Sequence, residues 1–328
     1  MLLADRSFSM VSEPSEDVQA VLAAMESMDL PEIHELEPEQ VREGMEGRFA
    51  GAEPVADVGA VEDREIPGPD GDIPVRVYTP ESEGPHPVVV FYHGGGFVFG
   101  SPDGHDAPAR LLTNGADAVV VSVDYRLAPE HPFPAPVEDA YAALRWVAEN
   151  QEAVGGNGTV AVAGDSAGGN LAAVAALAAR NRDDGPDVAY QALVYPVVDF
   201  REDAAGGGYA SHVENAEGYF LTAADMEYFH DHYAPSWVHH RNPYLSPLLA
   251  ESHADLPPAT VATCGFDPLR DEGRAYADAL DADGVDVTRR EYDDLIHGVL
   301  NMVQEPMDVQ GGHDLLDDVA GDLRDALH

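Results

Sequence analysis

Ser166 lies in Gly164-Asp165-Ser166-Ala167-Gly168, after the apolar run Thr159 to Ala163 and before the periodic segment Leu171 to Arg180. This is a G-x-S-x-G pattern in a strand–turn–helix setting, where a sharp turn lifts the serine hydroxyl above the end of a strand. Glycines at 164 and 168 let backbone and helix approach closely. The helix N-terminus adds positive potential beside any oxygen that becomes negative. A second cluster, His93-Gly94-Gly95-Gly96, follows the apolar run ending at Tyr92. Its backbone N–H groups can approach a developing oxyanion with no side chain in the way, worth about 3 kcal/mol per donor in acyl transfer. Together the two motifs imply nucleophilic attack on an acyl carbon.

A serine turn of this kind needs a strand before it and a helix after it, and the chain alternates the two. Pro87 to Tyr92 and Ala118 to Val123 are continuous apolar runs, the pattern of strands covered on both faces. Gly68-Pro69-Asp70-Gly71 reads as a turn between a strand starting near Val58 and another at Pro74 to Tyr78. Tyr190 to Tyr195, Thr260 to Gly265 and Val285 to Tyr292 supply three more strands. Val137 to Asn150 reads as a helix, and Leu315, Leu316, Val319, Leu323 and Leu327 mark an amphipathic helix at the end. The alternation predicts an α/β fold with a mostly parallel, eight-stranded sheet and helices on both faces. Ahead of it, Val18, Val21, Leu22 and Met25 share one helical face, and Pro38 opens a second helix with Val41 and Met45 inward. Residues 199–245 interrupt the pattern with Gly206-Gly207-Gly208 and a helical stretch carrying Leu221, Met226, Phe229 and Tyr233, aromatic enough to pack. We expect residues 1–50 and 199–245 to form a helical cap over a catalytic body of residues 51–198 and 246–328.

The motifs resemble the hormone-sensitive-lipase-like family of α/β-hydrolases, in the branch whose serine turn reads Gly-Asp-Ser-Ala-Gly. The resemblance runs from about residue 70 to 305 and includes Asp124-Tyr125-Arg126-Leu127-Ala128-Pro129-Glu130, Gly218-Tyr219-Phe220-Leu221-Thr222 and Asn242-Pro243-Tyr244-Leu245-Ser246-Pro247. It implies an α/β-hydrolase fold and a carboxylesterase that needs no cofactor or metal. It also implies an oxyanion hole of Gly95, Gly96 and Ala167, with Gly94 shaping the turn. Phe97, Tyr195 and Phe220 would wall the pocket, and a homodimer could form through the last strand. For the remaining triad members the order Ser, acid, His is required. Asp267 immediately follows a strand end, and His297 follows the strand Val285 to Tyr292 and precedes Gly298; both match the family's acid and base. Asp271 and Glu272 are rival acids, but they fall inside the following helix, where ion pairing accounts for them. A cap of this kind favours small-molecule esters of short or medium acyl chains over long lipid chains.

The same triad would serve an amidase or deacetylase, and a chain lacking one member would be a ligand receptor. His230, His232, His239 and His240 cluster in the insertion, but their spacing fits no zinc site and no cysteine joins them. Hydrogen-bonded cap histidines are the simpler reading. Asn157-Gly158-Thr159 matches a glycosylation acceptor, yet it abuts a strand and reads as a turn.

Composition narrows the setting. Against 61 Asp+Glu stand 17 Lys+Arg, a net charge of −44, and every cation is an arginine. Nucleic-acid binding needs a basic face, and anionic lipid would repel this one. Hydrophobic residues make up 45% of the chain, so the charge does not signal disorder. The longest apolar run, Leu171 to Ala179, is far below the ~20 residues that span a membrane. Asp5 interrupts the first residues too early for a signal peptide, which predicts a cytoplasmic protein. The single cysteine, Cys264, sits in an apolar run and reads as an inert core thiol. Such acidity without lysine is the composition of a protein adapted to a salt-rich cytoplasm. Screening shortens the Debye length from ~10 Å at 0.1 M to ~3 Å at 1 M salt. Melting temperature and activity should therefore rise steeply between ~0.1 M and ~2 M KCl. Thermal unfolding at fixed pH across that series is the check, and flat curves would remove the salt-adaptation reading.

Overall fold

The structure is a computed structural model describing residues 13–28, 31–49, 53–201 and 208–328. Eight strands form one sheet: β1 (Ala60–Gly68), β2 (Gly71–Thr79), β3 (His86–Tyr92), β4 (Val119–Val123), β5 (Gly156–Asp165), β6 (Tyr190–Val194), β7 (Ala259–Phe266) and β8 (Val287–Ile296). Their spatial order is β1-β2-β4-β3-β5-β6-β7-β8, with β2 antiparallel to both neighbours and the others parallel. The apolar runs behave as their composition predicts: β3 and β4 are buried along their whole length.

Alternation along these strands feeds two separate cores. Val88, Val90, Tyr92, Val121 and Val162 point to the face covered by α4 (Ala135–Glu149), α5 (Ala167–Arg180) and α8 (Arg270–Ala282). Val89, Phe91, Val120 and Ala163 point to the opposite face, under α3 (Asp106–Ala116) and α9 (Gln310–Leu327). α5 is buried from Ala167 to Ala179, and its alanines and glycines let it lie close against the central strands. It starts before Leu171, where the apolar periodicity begins, because Gly168-Gly169-Asn170 is helical through small residues that periodicity does not register. β8 likewise continues past Tyr292 to Ile296.

The two N-terminal helices, α1 (Glu16–Ser27) and α2 (Pro38–Phe49), go to different places. Val18 and Val21 of α1 join the α3–α9 core, and the Ser15 N–H donates to Asp294 O. α2 lies across the pocket mouth, fixed by Arg42, which donates to Val98 O, Ala128 O and both oxygens of Glu130 at 2.7–2.9 Å. The insertion folds into α6 (Ala210–Glu214) and α7 (Ala223–Tyr233). Thr222 and Asp225 form a capping box at the start of α7, whose Met226, Phe229 and Tyr233 are buried. Gly206 and Gly207 lie outside the described residues. Asn157-Gly158-Thr159 opens β5, where the Thr159 N–H donates to the Asn157 side chain at 2.9 Å, a local turn at the strand's edge.

Two glycines allow the crossing of β5, α5 and the end of β3. A Cβ on Gly168 would run into the carbonyls of Tyr92 and His93, and one on Gly164 into the Gly168 carbonyl. Gly321, in α9, has nothing within 4 Å of the same position. Gly168→Ala should therefore lower stability by about 1–3 kcal/mol or more, whereas Gly321→Ala should raise it by roughly 0.5–1 kcal/mol. Denaturant unfolding of the two variants in high salt checks the contrast.

Candidate active site

Ser166 sits between β5 and α5 with φ 55° and ψ −117°, a backbone conformation that L-residues rarely adopt. The turn is over-determined: the Ser166 N–H donates to Val194 O at 2.9 Å and its carbonyl accepts from the Asn170 N–H at 3.0 Å. The hydroxyl oxygen lies 2.9 Å from His297 Nε2, and His297 Nδ1 lies 2.8 Å from Asp267 Oδ2. The other Asp267 oxygen accepts from the Leu269 N–H at 2.8 Å, and the carboxylate is fully buried. With Nδ1–H held by a buried carboxylate, Nε2 is left as the acceptor facing the hydroxyl.

The rival acids are engaged elsewhere. Asp271 pairs with Arg270 at 2.8 Å and accepts the Ser211 N–H. Burial would raise its pKa, but Arg270 and Ser211 outweigh it and hold the carboxyl below the usual range. Glu272 has an ion-pair contact too, but a buried one, with a histidine. It is buried, accepts the Val198 N–H at 2.7 Å, lies 3.1 Å from His212 Nε2, and is pushed up chiefly by desolvation.

The glycine loop approaches from the end of β3. Gly95 and Gly96 have φ of 116° and 58°. Their N–H groups and that of Ala167 have no hydrogen-bond partner among the described residues, and all three residues line the pocket. Gly94 is the tether, its N–H donating to Asp165 Oδ1 at 2.8 Å. Asp165 is buried, which would raise its pKa, but His105 and the Gly94 N–H outweigh this and keep it low. The buried His93 ring stacks on Tyr125 at 4.3 Å and is pushed down to about 3 by burial and by His105. Tyr125 in turn donates to His93 O at 2.7 Å, and the Ala128 N–H to Phe97 O at 2.9 Å, so the segment after β4 props the loop. Arg126 anchors that segment to α4 through a two-pronged contact with Asp139 at 2.8 Å.

Phe97 and Phe220 line the pocket, with Phe99, Phe200, Leu221, Met226 and Phe229 beside them. Tyr195 does not. Its ring lies 4.6 Å from that of His297, and its hydroxyl accepts the Leu300 N–H at 3.1 Å, so it supports the histidine from within the core. Residue type alone could not tell a wall from a support. The cap histidines have separate partners: His232 with Tyr228 O, His240 with Ala234 O, His239 against Phe133 and His230 against Phe200. Cys264 is buried in β7, and desolvation, then Asp267 and Asp294, push its thiol well up.

One set of contacts had no sequence signal. α6 clamps the acid loop: Asn215 Nδ2 donates to Asp267 O at 3.0 Å and Gly265 O at 3.2 Å, and Ser211 Oγ donates to Pro268 O at 2.6 Å. These are short polar residues in the insertion, and only the folded contact reveals them.

A family profile described as alpha/beta hydrolase fold matches residues 89–301, which carry the elbow, the glycine loop and the whole triad. The chain belongs to the α/β-hydrolase fold family. It is 49% identical over 250 residues to the carboxylic ester hydrolase LipN of Mycobacterium tuberculosis, covering 74% of this chain and 65%, under two-thirds, of that protein. It is 36% identical over 264 residues to an arylesterase of Saccharolobus solfataricus, covering 80% and 84% of the two chains. Among solved structures, the hyperthermophilic esterase of Pyrobaculum calidifontis superposes with a TM-score of 0.87 at 41% identity, covering 95% of this chain and 98% of that one.

The geometry distinguishes the two aspartates by experiment. Ser166→Ala should abolish turnover with the fold intact, and Asp267→Asn should cost on the order of 10⁴-fold in kcat through the wrong imidazole tautomer. Asp271→Asn should cost far less. Steady-state kinetics with circular dichroism checks all three, and the reverse order for the aspartates would overturn the choice of acid.

Proposed function

We propose that this α/β-hydrolase is a carboxylesterase that cleaves short- to medium-chain acyl esters through an acyl-enzyme on Ser166 and works at high salt. The observation that carries the reading is the unbroken hydrogen-bonded line Ser166–His297–Asp267, in a pocket also lined by Gly95, Gly96 and Ala167, whose N–H groups have no partner among the described residues. Its relatives, named as carboxylic ester hydrolases and esterases, support the ester as substrate class.

In this mechanism His297 Nε2 takes the Ser166 proton as Oγ attacks the ester carbonyl. The resulting oxyanion accepts hydrogen bonds from Gly95, Gly96 and Ala167, donors already in place and therefore costing no reorganisation. Asp267 stabilises the imidazolium without taking its proton. The tetrahedral species collapses as Nε2–H protonates the leaving alkoxide, forming the acyl-enzyme. Water enters, gives its proton to Nε2, and attacks the acyl carbon. The second collapse returns the proton to Oγ and releases the acid. Phe97, Phe220 and the cap residues Leu221, Met226 and Phe229 give the pocket an apolar lining, which supports an apolar acyl or alcohol group. The acidic, lysine-free composition supports the salt adaptation.

p-Nitrophenyl esters from acetate to palmitate, measured beside matched anilides from about 0.1 M to about 2 M KCl, test the reading. We expect kcat/KM to peak among the shorter esters, to collapse for palmitate, and to exceed that of the anilides by orders of magnitude. Equal anilide turnover would make the enzyme an amidase instead.

A further inference from the structure

Polar side chains are few in the pocket wall, and among the described residues all but one make at least one side-chain hydrogen bond. Arg42 donates to Val98, Ala128 and Glu130; Ser101 accepts from Gly104; His105 and Asn301 lie 2.7 Å apart; Asp165 accepts from Gly94; Ser166 and His297 hold each other. The exception is His230 of α7. Its ring stacks on Phe200, centroids 4.5 Å apart at 26°, and neither ring nitrogen hydrogen-bonds to a described residue. Nor are those nitrogens among the sealed, unpartnered atoms, a group that includes His93 Nε2 and His105 Nδ1. They are therefore not sealed from solvent, and the residue itself lines the pocket. Burial first, then His240 and His212, push the ring down to about 4, so it is a neutral imidazole with one donor and one acceptor.

We propose that His230 is a specificity residue that hydrogen-bonds a hydroxyl carried by the ester, so that hydroxylated esters are preferred over their alkyl equivalents. The inference rests on the esterase reading and adds the substrate's second functional group. Three physical points support it. His230 places a hydrogen-bonding group in a largely apolar wall, at a position where a phenylalanine could stack on Phe200 equally well. A neutral imidazole offers a donor and an acceptor together, which a hydroxyl matches. A substrate carboxylate fits poorly, because the ring carries no compensating charge and Asp199 is close enough to act on it. A wall that hydrogen-bonds a substrate hydroxyl discriminates against the analogue lacking it, because its polar group is then left unpaired.

The hydroxyl can sit on either side of the scissile bond, so two matched pairs are needed. Ethyl β-hydroxybutanoate against ethyl butanoate tests the acyl side. Ethylene glycol monobutanoate against propyl butanoate tests the alcohol side. In the wild-type enzyme one pair should favour the hydroxylated member by about tenfold in kcat/KM, mainly through KM. His230→Phe should erase that ratio, and His230→Gln, which keeps a donor and an acceptor, should restore part of it at unchanged pH dependence. Alkyl-ester turnover with no preference in either pair, or a preference that survives His230→Phe, overturns the assignment and leaves the esterase reading standing. No turnover of any of the four esters by the wild-type enzyme would instead overturn the esterase reading.

Discussion

The backbone at Ser166 is the constraint on which the rest of the site depends. A serine at φ 55° is strained, and it persists only because its surroundings fix it. Val194 O and the Asn170 N–H hold the two sides of its peptide, while Gly164 and Gly168 remove the side chains that would stand where the strand, the helix and Tyr92 O converge. Relaxing the turn would lower the hydroxyl from the reach of His297 and withdraw the Ala167 N–H from the pocket. The same strained residue thus sets both its own hydroxyl beside His297 and the Ala167 N–H in the pocket lining. Asp165, one residue earlier, extends the constraint to the glycine loop through the Gly94 N–H.

The acid arm is held from a different direction. Asp267 leaves the end of β7 where the register with β8 shifts between Cys264 and Phe266, so its loop is freed from the sheet ladder. α6 supplies the missing restraint by binding the carbonyls of Gly265, Asp267 and Pro268 through Asn215 and Ser211. The His212–Glu272 contact ties the same short helix to α8. The insertion therefore does two jobs. α7 shapes the pocket, and α6 orients the carboxylate that orients the base.

What the sequence reveals of this arrangement follows from how local each signal is. The elbow is legible because glycine, serine and glycine at fixed spacing answer a steric demand within a few residues. β3 and β4 are legible because a strand covered on both faces must be apolar throughout. Tyr195 is not, since a buried aromatic beside a catalytic loop has the same composition whether it faces substrate or supports the histidine. The start of α5 is also obscured, because its first turn is built from small residues selected for close approach. Asn215, Ser211 and His105 act across long separations in sequence, and nothing in their neighbourhoods marks the partner. Glu272 shows the same limit from the other side: helical position predicts an ion pair, yet only the fold shows it buried with His212 as the partner.

The electrostatics of the body are arranged on two length scales. The arginines concentrate at joints between elements: Arg42 to Glu130 beneath α2, Arg126 to Asp139 between the β4 segment and α4, Arg270 to Glu214 between α8 and α6, and Arg290 to Asp322 between β8 and α9. These contacts measure 2.6–2.8 Å, and in one of them Asp139 is buried. The surplus carboxylates repel one another over longer distances across the surface. A Debye length of ~3 Å in molar salt is comparable to the contact distance of the joints, so interactions over longer distances are screened most. On this reading, salt would weaken the repulsion more than the attraction, and would weaken the attraction least at the joint that buries Asp139, where solvent ions have least access. The triad lies below that layer, with Asp267 and His297 buried, so the field at the reacting atoms is set by fixed hydrogen bonds rather than by the ionic atmosphere.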